Sequence, residues 1–176
     1  MIAANKDIRE EKDMGMIGYY FKLEQEKLDE VLSGEALLSK VAPEFLGEGY
    51  FDLDKSWMAL GEVLAKAKED TAKYVVPYMV EASLIPSAME DGYEFGAFAI
   101  PNFKVKEVAA FLEGMTEEAF QQIYDFQELV KNEVYPLVQE DQSEEFLEYL
   151  LSYFTELRKY FKEAGEEGKA LVFFIC

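Results

Sequence analysis

The run Ala170-Leu-Val-Phe-Phe-Ile175 is apolar at every position, odd and even alike. A strand of that kind has no face to offer water, so it belongs inside a sheet covered on both sides. That requirement excludes a sheet with one wet face and asks for a layered molecule. A second strand signal stands near the other end: Gly15-Met-Ile-Gly-Tyr-Tyr-Phe-Lys-Leu23 is short and rich in aromatic and branched residues. The simplest arrangement places both terminal strands in one small sheet, with helices layered on its faces.

Between these runs the apolar residues recur mostly at helical spacing. Leu28, Val31 and Leu32 predict about two helical turns, stopped by Gly34. Leu38, Val41, Ala42 and Phe45 predict another segment, which Pro43 kinks or divides and which Gly47 and Gly49 end. Asp54 is expected to cap a helix that carries Trp57, Leu60, Gly61 and Leu64 on one face. Tyr74–Val80 has strand propensity, but Pro77 bars it from the middle of a sheet, so an irregular or short helical piece is expected. Phe95–Ile100 is a short strand candidate.

The last third is the most regular. Val105, Val108, Ala109 and Leu112 form a stripe that ends at Gly114, and Thr116 then caps a helix opened by Glu117 and Glu118. Val130 and Val134 sit in a further helix that stops before Pro136. Asp141 and Glu144 have capping-box spacing ahead of a long helix with Phe146, Leu150, Phe154, Leu157 and Phe161 in line, closed by Gly165 and Gly168. The expected fold is therefore α/β, with α+β as the alternative: a helix-rich layered sandwich around a small mixed sheet that contains the N-terminal and C-terminal strands. Residues 1–13 read as a polar extension outside that fold, and residues 14–176 as one domain.

Charge and composition narrow the chemistry. The 176 residues carry 36 acids and 17 bases, a net charge of −19, with no histidine and one cysteine, Cys176. Nucleic-acid and anionic-membrane partners are excluded as expectations, because both rest on Lys and Arg. The missing histidine removes Ser-His-Asp and Cys-His systems and imidazole-based zinc sites. One cysteine cannot form an intrachain disulfide, and no apolar run is long enough to span a bilayer. With no signal peptide in the charged N-terminal stretch, the expected compartment is the cytoplasm.

Motif searches fail for stated reasons. Gly165-Glu-Glu-Gly168-Lys169-Ala170 echoes a P-loop, but its glycines are too close and Ala170 replaces the magnesium-binding hydroxyl. Asp52-Leu-Asp54-Lys-Ser56 begins like a calcium loop, yet Trp57 stands where glycine is needed and Val63 where glutamate is needed. Gly15-Met-Ile-Gly18 has the spacing of a KH loop in the wrong electrostatic setting. No metal and no cofactor is expected.

Several blocks together resemble a known family. Met14-Gly-Met-Ile-Gly-Tyr-Tyr20, Asp52-Leu-Asp-Lys-Ser-Trp57, and Glu133-Val-Tyr-Pro136 running through Glu148-Tyr-Leu150 to Gly168-Lys-Ala-Leu-Val172 resemble the YfbM-like family of small bacterial cytoplasmic proteins of unknown function. The resemblance covers most of residues 14–175 and implies an α/β layered fold around a small sheet, with the natural start near Met14. Two departures matter. The family pattern often has histidine after the tryptophan, where Trp57-Met-Ala-Leu-Gly61 has none, and a tryptophan after the Tyr-Pro, absent around Leu137–Gln142. A histidine-dependent activity shared by the family would be lost here.

Candidate binding residues are Tyr19, Asp54, Lys55, Trp57 and Tyr93. Trp57 either packs in the core or lines a pocket with Asp54 and Lys55 at its mouth, while Tyr19 and the Gly92-Tyr-Glu-Phe-Gly96 turn add aromatic surface. Residues 132–157 and 74–103 contain no base, so they read either as a solvated face or as a landing surface for a basic protein. The expected function is a non-catalytic binding module for a basic protein partner, of inhibitor or immunity type. The alternatives are a hydrolase working through carboxylates and tyrosines, and a small-ligand sensor.

Overall fold

A computed structural model describes residues 15–44, 47, 49–138 and 141–176. In chain order the elements are β1 (Gly18–Leu23), α1 (Gln25–Leu32), α2 (Leu38–Val41), β2 (Tyr50–Asp52), α3 (Trp57–Ala72, interrupted at Lys68), β3 (Ala97–Ile100), α4 (Asn102–Glu113), α5 (Glu117–Ile123), α6 (Phe126–Lys131), α7 (Ser143–Glu166) and β4 (Ala170–Ile175). Short 3-10 turns at Asp54–Ser56, Pro77–Met79 and Glu81–Ser83 fill the gaps. The irregular piece expected around Pro77 is thus two such turns. The expected extension, residues 1–13, lies outside the described residues.

The sheet has the order β2-β1-β4-β3. Both sequence-terminal strands sit at its centre, paired from Gly18 opposite Ile175 to Leu23 opposite Ala170. All three pairings are antiparallel, so the sheet is not mixed as expected, although the helix-rich layered fold stands. The reason lies in the connections: no crossover returns one strand parallel to its neighbour, and parallel pairing needs one.

Alternation along β1 and β4 divides the core. Tyr20, Leu171, Phe173 and Ile175 face a thick layer of α3, α4, α5, α6 and α7. Tyr19, Phe21, Val172 and Phe174 face a thin layer made by α1, α2 and the Ile85–Ala88 loop. The apolar character of every position in β4 is satisfied in this way, with all six residues buried. In the thick layer α7 presents Phe146, Leu150, Phe154, Leu157 and Phe161, all buried as their spacing predicts. Phe161 meets Tyr20 edge-on at 5.6 Å, and Phe154 stacks on Phe120 at 4.8 Å. Each such ring contributes about 1.5–3 kcal/mol by burial. The Tyr20 hydroxyl, fully buried, donates to the carbonyl of Val75.

The outer edge of β3 is covered. The Ile85 amide donates to the Ala97 carbonyl at 2.9 Å, and Leu84 bridges to Phe98. This protects an edge that would otherwise be open to pairing with another chain. Ala97 and Ala99 keep the surface beside β4 low enough for Ile85 and Ala88 to pack there.

Local expectations hold unevenly. Thr116 caps α5 by accepting from the Ala119 amide at 3.1 Å. Asp54 does not cap α3. It begins the 3-10 turn with φ of 49°, its own amide donates to Asp52 at 2.6 Å, and Ser56 holds the cap position. Asp141 and Glu144 form no capping box, because Asp141 accepts from the Val138 amide at 2.8 Å and α7 starts after Gln142. The helix drawn through Phe45 stops at Val41, two residues before Pro43, and Phe45 itself lies outside the described residues.

Candidate functional site

A cleft opens on the thin face. Phe174 near the end of β4, Tyr50 at the start of β2 and Tyr93 in the turn before β3 form its aromatic wall. Tyr93 meets Phe174 edge-on at 5.2 Å, and Tyr50 meets it at 5.8 Å. Gly92 adopts φ of 98°, which lets the chain turn and lay Tyr93 against the sheet. Asp91 fixes that turn to α2, accepting from the Ser39 amide and from the Ser39 hydroxyl, each at 2.6 Å. The cleft encloses about 370 Å³, and its rim carries Glu44, Asp91 and Glu94 with no Lys or Arg among the described residues. Burial, reinforced by Tyr50 and Asp91, pushes the Tyr93 phenol well above its ordinary range.

A second cleft of about 370 Å³ lies where the start of α3 meets the first turns of α7. Asp54, Lys55, Asp141, Glu145 and Tyr149 line it. The Tyr149 hydroxyl donates to Asp54 at 2.9 Å. Burial, then the adjacent Asp54 charge, holds the Tyr149 phenol protonated far above its usual pKa. Gly15 lets Tyr135 and Lys55 pack close to the chain ahead of β1: a Cβ there would lie 2.5 Å from Tyr135 Oη and 2.8 Å from Lys55 Nζ.

The five residues singled out from sequence therefore do not form one site. Tyr93 lines the first cleft, and Asp54 and Lys55 line the second. Trp57 is 2% exposed, with its indole N–H donating to the Met16 carbonyl at 3.0 Å, so that donor is already used within the chain. Tyr19 is buried in the sheet and stacked on Phe174 at 5.5 Å. Its pKa is raised by burial first and then by Asp52, Cys176 and Asp54. Sequence reasoning missed Tyr50, Phe174 and Tyr149. Tyr50 stands in a strand of three residues, too short for any periodic signal, Phe174 lies in a run that reads as a buried strand, and Tyr149 falls off the apolar stripe of α7.

Acid–base chemistry through paired carboxylates needs one acid kept out of water. Among the described residues no Asp or Glu is buried, and the only resolved carboxylate shifts, at Glu107 and Glu118, are downward. No cluster of three or more His, Cys, Asp or Glu side chains with metal-holding geometry occurs among the described residues. No described helix is long and apolar enough to cross a membrane.

A four-stranded antiparallel sheet with its terminal strands at the centre, one thick helical cover and one thin cover bearing an aromatic–acidic cleft defines a helix-rich α/β domain. The chain belongs to the family described as Domain of unknown function (DUF1877), whose pattern matches residues 14–174. Its fold is similar to that in the crystal structure of YfbM from Escherichia coli, a protein of unknown function. The TM-score is 0.65 at 20% identity, covering 91% of this chain and 99% of that one. The YfbM-like resemblance carried by the sequence blocks is borne out. No curated protein matches the chain by sequence.

Proposed function

We propose that the protein is a non-catalytic binding module for a basic protein partner, of inhibitor or immunity type, and that the cleft on the thin face seats a Lys or Arg side chain of that partner. The observation that carries this reading is the composition of the cleft: three aromatic rings and three carboxylates, with no base on its rim among the described residues. A cation over an aromatic face gains about 0.5–2 kcal/mol, more as water is excluded, and the rim carboxylates add a charge-assisted partner. The net charge of −19 supports the same reading, because a field of one sign speeds encounter with a basic protein. Engaged by Ser39, the Asp91 carboxylate is fixed in place, so the rim is organised before a ligand arrives.

The test is calorimetric titration with a lysine- and arginine-rich peptide at low and at high salt. The reading expects binding that weakens as salt rises, and a loss of about tenfold in affinity for Tyr93→Leu and for Glu94→Lys. Absence of binding at low salt, or equal affinity in both variants, overturns it.

A further inference from the structure

We propose that the second cleft, between the start of α3 and the first turns of α7, binds a small zwitterion of the α-amino-acid class. Lys55 takes its carboxylate, and Asp141 and Glu145 take its ammonium group. This site is separate from the thin-face cleft and does not depend on the reading given for it.

Lys55 is the anomaly that points to a ligand. Four lysines are half-buried among the described residues: Lys22, Lys55, Lys104 and Lys169. Lys22, Lys104 and Lys169 each hold a carboxylate in salt-bridge range. Lys55 holds none among the described residues, in a protein with an excess of 19 negative charges. A half-desolvated ammonium normally finds an anion, and here the cleft leaves that place open.

A second donor lies beside Lys55. The Tyr135 hydroxyl is buried, with the Met16 backbone against its oxygen, and finds no acceptor for its proton among the described residues. Burial raises its pKa, so it keeps the proton it could donate. Lys55 and Tyr135 come together only because Gly15 has no side chain, since a Cβ would fall 2.8 Å from the Lys55 ammonium and 2.5 Å from the Tyr135 oxygen. Lys55 lines the cleft and Tyr135 backs it across Gly15, so the Lys55 ammonium is the donor that a ligand oxygen would meet.

Lys55 is also held in position. Its neighbour Asp54 keeps a left-handed backbone, φ 49°, locked by the Asp52 side chain on its amide and by the Tyr149 hydroxyl on its carboxylate. Non-glycine residues in that region persist where the surroundings fix them, which is a recurring property of ligand sites.

The rest of the lining sets the ligand class. Asp54, Asp141 and Glu145 would repel a simple anion such as phosphate, while Lys55 would repel a diamine. A ligand carrying one charge of each sign satisfies both ends. The cleft volume of about 370 Å³ suits a small molecule rather than a peptide.

The experiment is isothermal calorimetry of the full chain with each standard L-amino acid, with inorganic phosphate and putrescine as single-charge controls. The expected result is binding of at least one amino acid and of neither control. Lys55→Met should abolish that binding with the circular dichroism spectrum retained, and Glu145→Gln, at an exposed position, should weaken it about tenfold. Should Lys55→Met fail to fold, Glu145→Gln decides alone, because unchanged affinity there overturns the site. Binding of no amino acid by the wild-type chain, binding of phosphate or putrescine alone, or full binding by a folded Lys55→Met also overturns it.

Discussion

The indole N–H of Trp57 donates to the main-chain carbonyl of Met16 at 3.0 Å, so the first residue of α3 is tied to the chain just ahead of β1. Around this bond Trp57 packs against Tyr78, Tyr135 and Phe173, with ring centres 5.5, 6.1 and 6.3 Å away. The junction sets the tryptophan in the thick-layer core as a strut between the start of α3 and the sheet.

Gly18 lets that strut approach the sheet. A Cβ at Gly18 would sit 2.9 Å from Trp57 Cβ and 3.0 Å from two ring atoms. Gly18→Ala is expected to destabilise the protein by about 1–3 kcal/mol through overpacking. Urea denaturation followed by Trp57 emission measures it, and a midpoint equal to that of the wild type would contradict the packing described.

Phe154 is fully buried and stacked on Phe120 in the thick layer. Phe154→Ala should cost about 3–5 kcal/mol, because the cavity is walled by α5 and α7 and cannot collapse easily. The check is the loss in unfolding free energy by chemical denaturation, and a loss below about 1 kcal/mol would show that α5 is not packed as described.

The tyrosines set an alkaline limit. Nine of the eleven, Tyr19, Tyr20, Tyr50, Tyr93, Tyr124, Tyr135, Tyr149, Tyr153 and Tyr160, have pKa values raised above the ordinary 10.0, each chiefly by burial. Below pH 10 both folded and unfolded chains keep these protons, so stability is unaffected by them. Above it the unfolded chain loses protons that the folded chain retains, and stability falls as pH rises. Ultraviolet titration should show tyrosinate appearing late and together with loss of the circular dichroism signal. Smooth ionisation near pH 10 with the fold intact would be the contrary result.

Charge should act through salt. With 19 excess negative charges the folded state repels itself, and screening relieves that repulsion. The midpoint of thermal unfolding is expected to rise as sodium chloride is added from low ionic strength. A fall would mean that ion pairs such as Lys22 with Glu167, at 3.0 Å, outweigh the repulsion.

Strong periodic signals in the sequence were read well. The stripe of α7, the Thr116 cap and the doubly buried β4 follow from residues whose effect is local or repeats along one element. The antiparallel sheet and β2 were not legible. A three-residue strand such as Tyr50–Asp52 has no period, and strand direction depends on how distant elements connect. Asp54 misled for a similar reason. An aspartate before an apolar run favours a cap, but Tyr149, 95 positions later, accepts no such local logic and takes its carboxylate instead. The two clefts are assemblies of that kind: Tyr93 with Tyr50 and Phe174, or Lys55 with Tyr135 and Gly15, share no spacing that a linear reading could detect.

The central pairing of β1 with β4 joins the most widely separated strands of the fold. A chain in which residues 170–175 have not yet taken their place has the β2–β1 pair on one side and the lone strand β3 on the other, and the thick helical layer lacks the middle of its floor. Assembly must wait for β4, and the search for that distant partner, more than any helix, should govern how fast the native molecule appears.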